Sequence, residues 1–107
     1  MEELKLLRDK LMQGFYVDNL YEMSSLCTKL SSRPDMRVPM FVLSVIFRGI
    51  AADWDERPIE VEYARDIEMK LLAPVKAMIE AIEDKKRPHE IYVLLDGLIQ
   101  EFLHTVS

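Results

Sequence analysis

The sequence predicts an all-α protein, a single-domain bundle of four to five helices. Apolar residues recur three and four positions apart along most of the chain, as on one face of a helix. Only 3 glycines and 5 prolines interrupt this pattern, so long elements joined by short loops are expected. A chain of 107 residues is enough for one hydrophobic core, and we assign residues 1–107 to one domain.

The first helix is predicted over Glu2–Met12, where leucines 4, 7 and 11 share a face. Gly14 suits a helix C-cap or a kink. Asp18 is expected to cap a second apolar stretch. Two helices and one bent helix both fit this segment. The apolar positions of the second stretch are Tyr16, Leu20, Met23, Cys27 and Leu30.

The third helix is predicted after a loop at residues 31–35, with Asp35 as its cap and Pro39 in its first turn. We expect it to run to about Ala52. Between Met40 and Phe47 only Ser44 is polar, so the helix is apolar on nearly every side and is expected to be surrounded by others. The β-branched residues of this run also suit a strand, but the helical pattern of the flanking segments favours a helix.

A turn is predicted at residues 53–58, and Pro58 suits the first position of a fourth helix. Pro74 lies in the middle of that helix, so the sequence predicts a kink or a break there. Residues 85–87 close the fourth helix, and Pro88 opens the last one. The expected apolar faces are Ile59, Tyr63, Ile67, Leu71, Val75, Met78 and Ile82, and then Ile91, Leu94, Leu95, Leu98, Ile99, Phe102 and Val106.

The net charge of −5 comes from one segment. Residues 53–68 contain seven acidic and two basic residues, and the rest of the chain is neutral. Phosphate contacts need clustered lysine and arginine, so we expect no nucleic-acid partner. A protein that docks on this acidic patch is expected to be basic.

The start of the chain lacks the pattern of a signal peptide, and its longest apolar run is far below the roughly 20 residues that span a bilayer. We therefore expect a cytoplasmic protein that makes no membrane contact. Cys27 is the single cysteine, which excludes an intramolecular disulfide. Its place among apolar residues predicts a buried core side chain.

One pair of residues suggests metal chemistry. Glu101 and His104 are three positions apart and share a helix face, as in the ligand pairs of diiron bundles. A two-fold dimer would supply the second pair, with Glu62 or Asp66 as further carboxylates. His104 also suits the C-terminal end of a helix for electrostatic reasons alone. We predict no metal, no cofactor and no catalytic residue; the metal-binding, diiron-like bundle is the alternative.

Two further features point to protein partners. Trp54 lies within the acidic segment, where it is either an interface anchor or a cover for the core at a helix corner. Residues 91–95 are all apolar, so that helical turn has no polar side. Tyr92 and Val93 lie off the face expected to fill the core. We therefore predict a non-enzymatic protein that acts through protein–protein interaction as a homodimer; coverage of both residues by the helix at 40–52 is the alternative.

Overall fold

Five helices and the links between them make up the architecture. The structure, a computed structural model, describes residues 2–106, and of Val106 it describes the backbone alone. The described chain contains no strand, so the predicted all-α bundle is confirmed. The helices are α1 (Glu2–Met12), α2 (Val17–Leu30), α3 (Arg37–Glu56), α4 (Val61–Glu83) and α5 (Pro88–Val106).

The helices α3, α4 and α5 form one up-and-down group. The starts of α3 and α5 meet the end of α4 around one groove. The ends of α3 and α5 meet the start of α4 around a cleft at the opposite end. Helix α2 packs mainly on α3, and α1 packs on α2 and α4. The chain therefore places residues 53–68 and residues 85–88 at opposite ends of this group.

One core runs through all five helices. It is built from the repeating apolar positions of each helix, so its composition follows from the helical spacing. Cys27 is fully buried in it, as predicted. Tyr16 and Tyr63 are exposed, unlike the other described positions of their expected faces, and the side chain of Val106 lies outside the described residues. The largest fully buried side chains are Phe47, Leu7, Leu11, Leu20, Met23, Met40, Leu43, Ile67, Leu71, Met78, Ile79 and Leu98.

The link between α1 and α2 shows that the first segment is two helices. Gly14 has a φ of +102°, which glycine adopts far more readily than other residues. The amide of Phe15 donates to Glu68 Oε1 at 2.6 Å. The buried amide Nδ2 of Asn19 donates to the carbonyls of Lys10 and Gly14, both at 2.7 Å. These bonds satisfy carbonyls at the end of α1 and hold the turn against α4.

The two predicted aspartate caps are wrong. Helix α2 begins after Tyr16, whose carbonyl already accepts from the amide of Leu20 at 2.8 Å, so Asp18 lies inside the first turn. Helix α3 begins after Met36, and no side chain caps it. Met36 is buried in the core, so the chain turns at a residue that must pack rather than at Asp35.

The predicted turn at residues 53–58 begins too early. Helix α3 continues to Glu56, which places Trp54 in its last turn. Arg57 donates to both carboxylate oxygens of Asp53 at 2.9 Å, one turn back, which ties the end of the helix. Pro58 does not open α4, because the helix begins only at Val61, after the extended residue Glu60.

Helix α4 runs through Pro74 without a break. Pro74 lacks the amide that would donate to the carbonyl of Lys70, four residues back. Leu71, Val75 and Met78 are fully buried on either side of it, so packing holds the helix together across the missing bond.

Candidate interaction surface

Helix α3 is not surrounded by other helices, contrary to the expectation from its composition. Val38, Phe41 and Val45 are 45%, 60% and 54% exposed. They lie three and four residues apart, so they form one stripe along the solvent side of α3. The core already receives Met40, Leu43, Ile46, Phe47 and Ile50 from the opposite side of α3, which leaves the stripe uncovered.

Tyr92 of α5 extends this stripe sideways. It is 51% exposed and lines the same groove as Val38. We call Val38, Phe41, Val45 and Tyr92 the apolar surface. Because residues 40–47 are almost all apolar, their spacing does not show which side faces water. The sequence therefore could not identify this surface, although Arg48 on the same side was a weak signal.

The groove between Val38 and Tyr92 has a cationic rim. Arg37, Lys85 and Lys86 line it together with one carboxylate, Asp35. Its volume is about 510 Å³. The apolar part of the lining comes from α3, α4 and α5, so the basic residues stand beside hydrophobic area. The remaining lining residues are Pro34, Val38, Pro39, Ile82, Pro88, Ile91 and Tyr92.

Val93 lies on a different side of α5 from Tyr92. It is 58% exposed and borders a shallow recess of about 480 Å³ with Ala77 and Ala81 of α4. Helix α3 therefore does not cover Tyr92 and Val93 as the alternative required. The two residues belong to two surfaces, and Val93 is separate from the apolar surface.

Trp54 sits at the other end of the α3–α4–α5 group. It is half-buried, packs against the core, and lines a cleft of about 260 Å³ with Tyr63 and Phe102. Trp54 therefore fits the role of a side chain that covers the core at a helix corner better than that of an interface anchor that protrudes into solvent. The hydrogen bond from the Arg57 guanidinium holds the pKa of Asp53 below its usual range. Asp66 pairs with Lys70 at 3.0 Å within α4, so part of the acidic patch is neutralised locally.

The candidate metal ligands form no three-ligand site within the described part of one chain. Within residues 2–106, no group of three or more histidine, cysteine, aspartate or glutamate side chains is arranged to hold an ion. Glu101 and His104 lie on the last turns of α5, and Glu62 and Asp66 on the first turns of α4. Burial raises the pKa of the Cys27 thiol far above its usual range, so this thiol stays protonated and unreactive.

The side chains of Ser24, Thr28 and Ser44 form a hydroxyl cluster between α2 and α3 that the sequence did not predict. Thr28 Oγ1 and Ser44 Oγ are 2.6 Å apart, and Ser24 Oγ donates to the carbonyl of Ser44 at 2.9 Å. These small side chains let the two helices approach closely while their polar atoms stay paired. The cluster explains why Ser44 is tolerated in the apolar run, and it is structural.

None of the helices in the described chain combines the length and hydropathy needed to cross a membrane. Comparison of the chain with protein-family models, with curated proteins and with solved structures found no match.

Proposed function

We propose that this protein is a non-enzymatic interaction protein that works as a homodimer in the cytoplasm. The observation that carries the proposal is the apolar surface, where four large side chains stand about half exposed on neighbouring helices. Contiguous exposed apolar area of this kind is typical of a site that another protein covers. Phe41 and Tyr92 are aromatic, the type of residue that contributes most to binding in interface centres.

A second copy of the chain is the simplest partner. A two-fold contact needs one self-complementary patch, so a single surface covers itself. Fully burying an exposed valine-sized or larger side chain contributes roughly 1.5–3 kcal/mol. The four side chains are already about half buried, so each contributes about half of that on association, and the four on each copy together help to offset its cost.

The test is the mass of the protein in solution. Light scattering on a sizing column at tens of micromolar should give twice the 12.5 kDa mass of one chain. Phe41→Glu should give the mass of one chain with unchanged helix content, because it buries a charge in the contact. Met69→Glu is the matched control, since Met69 is exposed on α4 away from the apolar surface and its replacement should leave the dimer intact.

Two results would contradict the proposal in different ways. A wild-type protein with the mass of one chain would rule out the homodimer. A dimer that dissociates on Val93→Glu but survives Phe41→Glu would place the contact on the other side of α5 and remove the apolar surface from it.

A further inference from the structure

The exposed stripe of α3 continues beyond the apolar surface as a seam of small residues. Gly49 and Ala52 follow Val45 at spacings of four and three, on the same face of the helix. A Cβ on Gly49 would meet nothing within 4 Å, so the fold of one chain gives no steric reason for glycine there. Glycine weakens a helix interior relative to alanine. The open position instead allows the close approach of another helix.

The charges of α3 oppose its own helix dipole. Arg37 stands in the first turn, and Asp53, Asp55 and Glu56 stand in the last, the reverse of the arrangement that stabilises a single helix. The helices α1 and α2 follow the favourable rule, with acidic first turns and a basic last turn. An antiparallel copy of α3 would set anions beside Arg37 and cations beside the acidic end.

We propose that two copies of the chain pair through α3, antiparallel, about a two-fold axis at Val45. This inference rests on the proposed homodimer and specifies its contact. With the axis at Val45, Val38 of one copy lies across from Ala52 of the other. Phe41 likewise lies level with the turn of the second copy that contains Arg48 and Gly49.

The flanks of the seam support the same register. Arg37 and Asp55 are 18 residues apart, which is five helical turns, so they share one flank of α3. A two-fold antiparallel pair brings the same flank of both copies together, which sets Arg37 beside Asp55 of the second copy. Phe41 and Arg48 share this flank and meet in the same way, with the guanidinium against the ring. Neither Arg48 nor Asp55 forms an ion pair within the described part of the chain.

Cross-linking tests the axis directly. A residue on a two-fold axis faces its own copy, so Val45→Cys should form an intermolecular disulfide under mild oxidation and give a dimer band on a non-reducing gel. Val38→Cys should not, because the two copies of residue 38 would lie about 21 Å apart along the helices, beyond the reach of a disulfide. Cys27 is fully buried and gives no background band in the unmodified protein.

The pattern of cross-links separates the arrangements. A parallel α3 pair would cross-link through both engineered cysteines, and a contact through the far side of α5 would cross-link through neither. Both results would overturn the proposal. Both replaced valines are exposed, and circular dichroism of each variant verifies that the helix content is unchanged.

A pair of glycine variants tests the seam by a second route. Gly49 in α3 and Gly97 in α5 are both helical, and a Cβ on either meets nothing within 4 Å. Alanine at each position should therefore strengthen its own helix and leave the fold intact. Only Gly49→Ala should weaken association, with at least a tenfold rise in the dimer dissociation constant, because its methyl group occupies the space for the second copy.

The outcomes distinguish this inference from the proposed function. A monomeric wild-type chain would overturn both the proposed homodimer and the α3 pairing. A dimer in which Gly97→Ala weakens association and Gly49→Ala does not would retain the homodimer and overturn the α3 pairing. Equal dissociation constants for wild type and both variants would overturn it as well.

Discussion

At the scale of single residues, the turn between α1 and α2 depends most on the identity of one residue. Gly14 combines a φ of +102° with a close neighbour, since a Cβ there would lie 2.9 Å from Glu68 Oε1. That oxygen accepts the amide of Phe15, so the added carbon would disturb the bond that ties the turn to α4. The sequence indicates that Gly14 ends a helix, but it does not show that Glu68, 54 residues further along the chain, packs against it.

Gly14→Ala should destabilise the protein by about 1–3 kcal/mol, because it adds backbone strain and displaces a hydrogen-bonded carboxylate. The free energy of unfolding from urea titration measures this. Gly97→Ala is the control, and it should stabilise by about 0.5–1 kcal/mol as a helical glycine in open space. Equal effects of the two substitutions would show that the turn tolerates a side chain.

The ion pair at the end of α3 gives a prediction about pH. Arg57 lowers the pKa of Asp53, so the folded chain holds this carboxylate ionised to lower pH than the unfolded chain does. The pair is therefore fully present above the unfolded pKa of Asp53 and is lost as the pH falls through the folded value. An NMR titration should show Asp53 below the usual range of aspartate, and Arg57→Gln should return it to that range. No change on Arg57→Gln would mean that the hydrogen bonds are not made in solution.

At the scale of helices, the sequence predicted which segments are helical and which of their faces are buried better than it predicted where each helix begins and ends. The helix α1 and the start of α5 at Pro88 match the expectation, because a clear apolar period and a proline mark them. The ends of α3 do not, because the burial of Met36 and the Asp53–Arg57 pair decide them. Of the kink or break expected at Pro74, the break does not occur, because tertiary packing outweighs one missing hydrogen bond.

The end of α4 carries a testable strain. The chain leaves it through Lys85 with a φ of +54°, where the amide of Lys85 donates to the carbonyl of Ile82 at 3.1 Å and that of Lys86 to Ala81 at 3.0 Å. This is the Schellman geometry, in which glycine is the usual residue. Lys85→Gly should raise the free energy of unfolding by about 1 kcal/mol, because lysine is disfavoured in the left-handed region.

A matched variant controls for the loss of charge at this position. Lys86→Gly removes the same charge one residue later. The backbone of Lys86 is not left-handed, so this substitution should give no gain in stability. Thermal unfolding by circular dichroism measures both variants. A loss of stability in Lys85→Gly would mean that the lysine side chain contributes more at the groove than the backbone strain costs.

At the scale of the whole molecule, charge is separated along the helices. The acidic segment lies at one end of the α3–α4–α5 group, and the basic groove with Arg37, Lys85 and Lys86 lies at the other. An antiparallel pair through α3 would place the basic end of each copy toward the acidic end of the other. The basic partner expected from the acidic patch would then be a second copy of the chain. This arrangement was not predictable from the sequence, because it depends on which helix ends the fold brings together.

Association and folding of the proposed dimer are thermodynamically coupled. A partner that binds the folded chain alone stabilises it by mass action, so the melting temperature of a dimer rises with protein concentration. Raising the concentration of the wild type from well below to about a hundredfold above its dissociation constant adds about 2.7 kcal/mol, which corresponds to a rise of roughly 10 °C in melting temperature for a domain of this size. Phe41→Glu should melt at a temperature that does not depend on concentration, while Met69→Glu should follow the wild type. Phe41 is exposed within one chain, so its replacement should cost the monomer fold little. A melting temperature of Phe41→Glu that is lower but still depends on concentration would contradict this, and would show that the side chain supports the monomer fold and not the dimer.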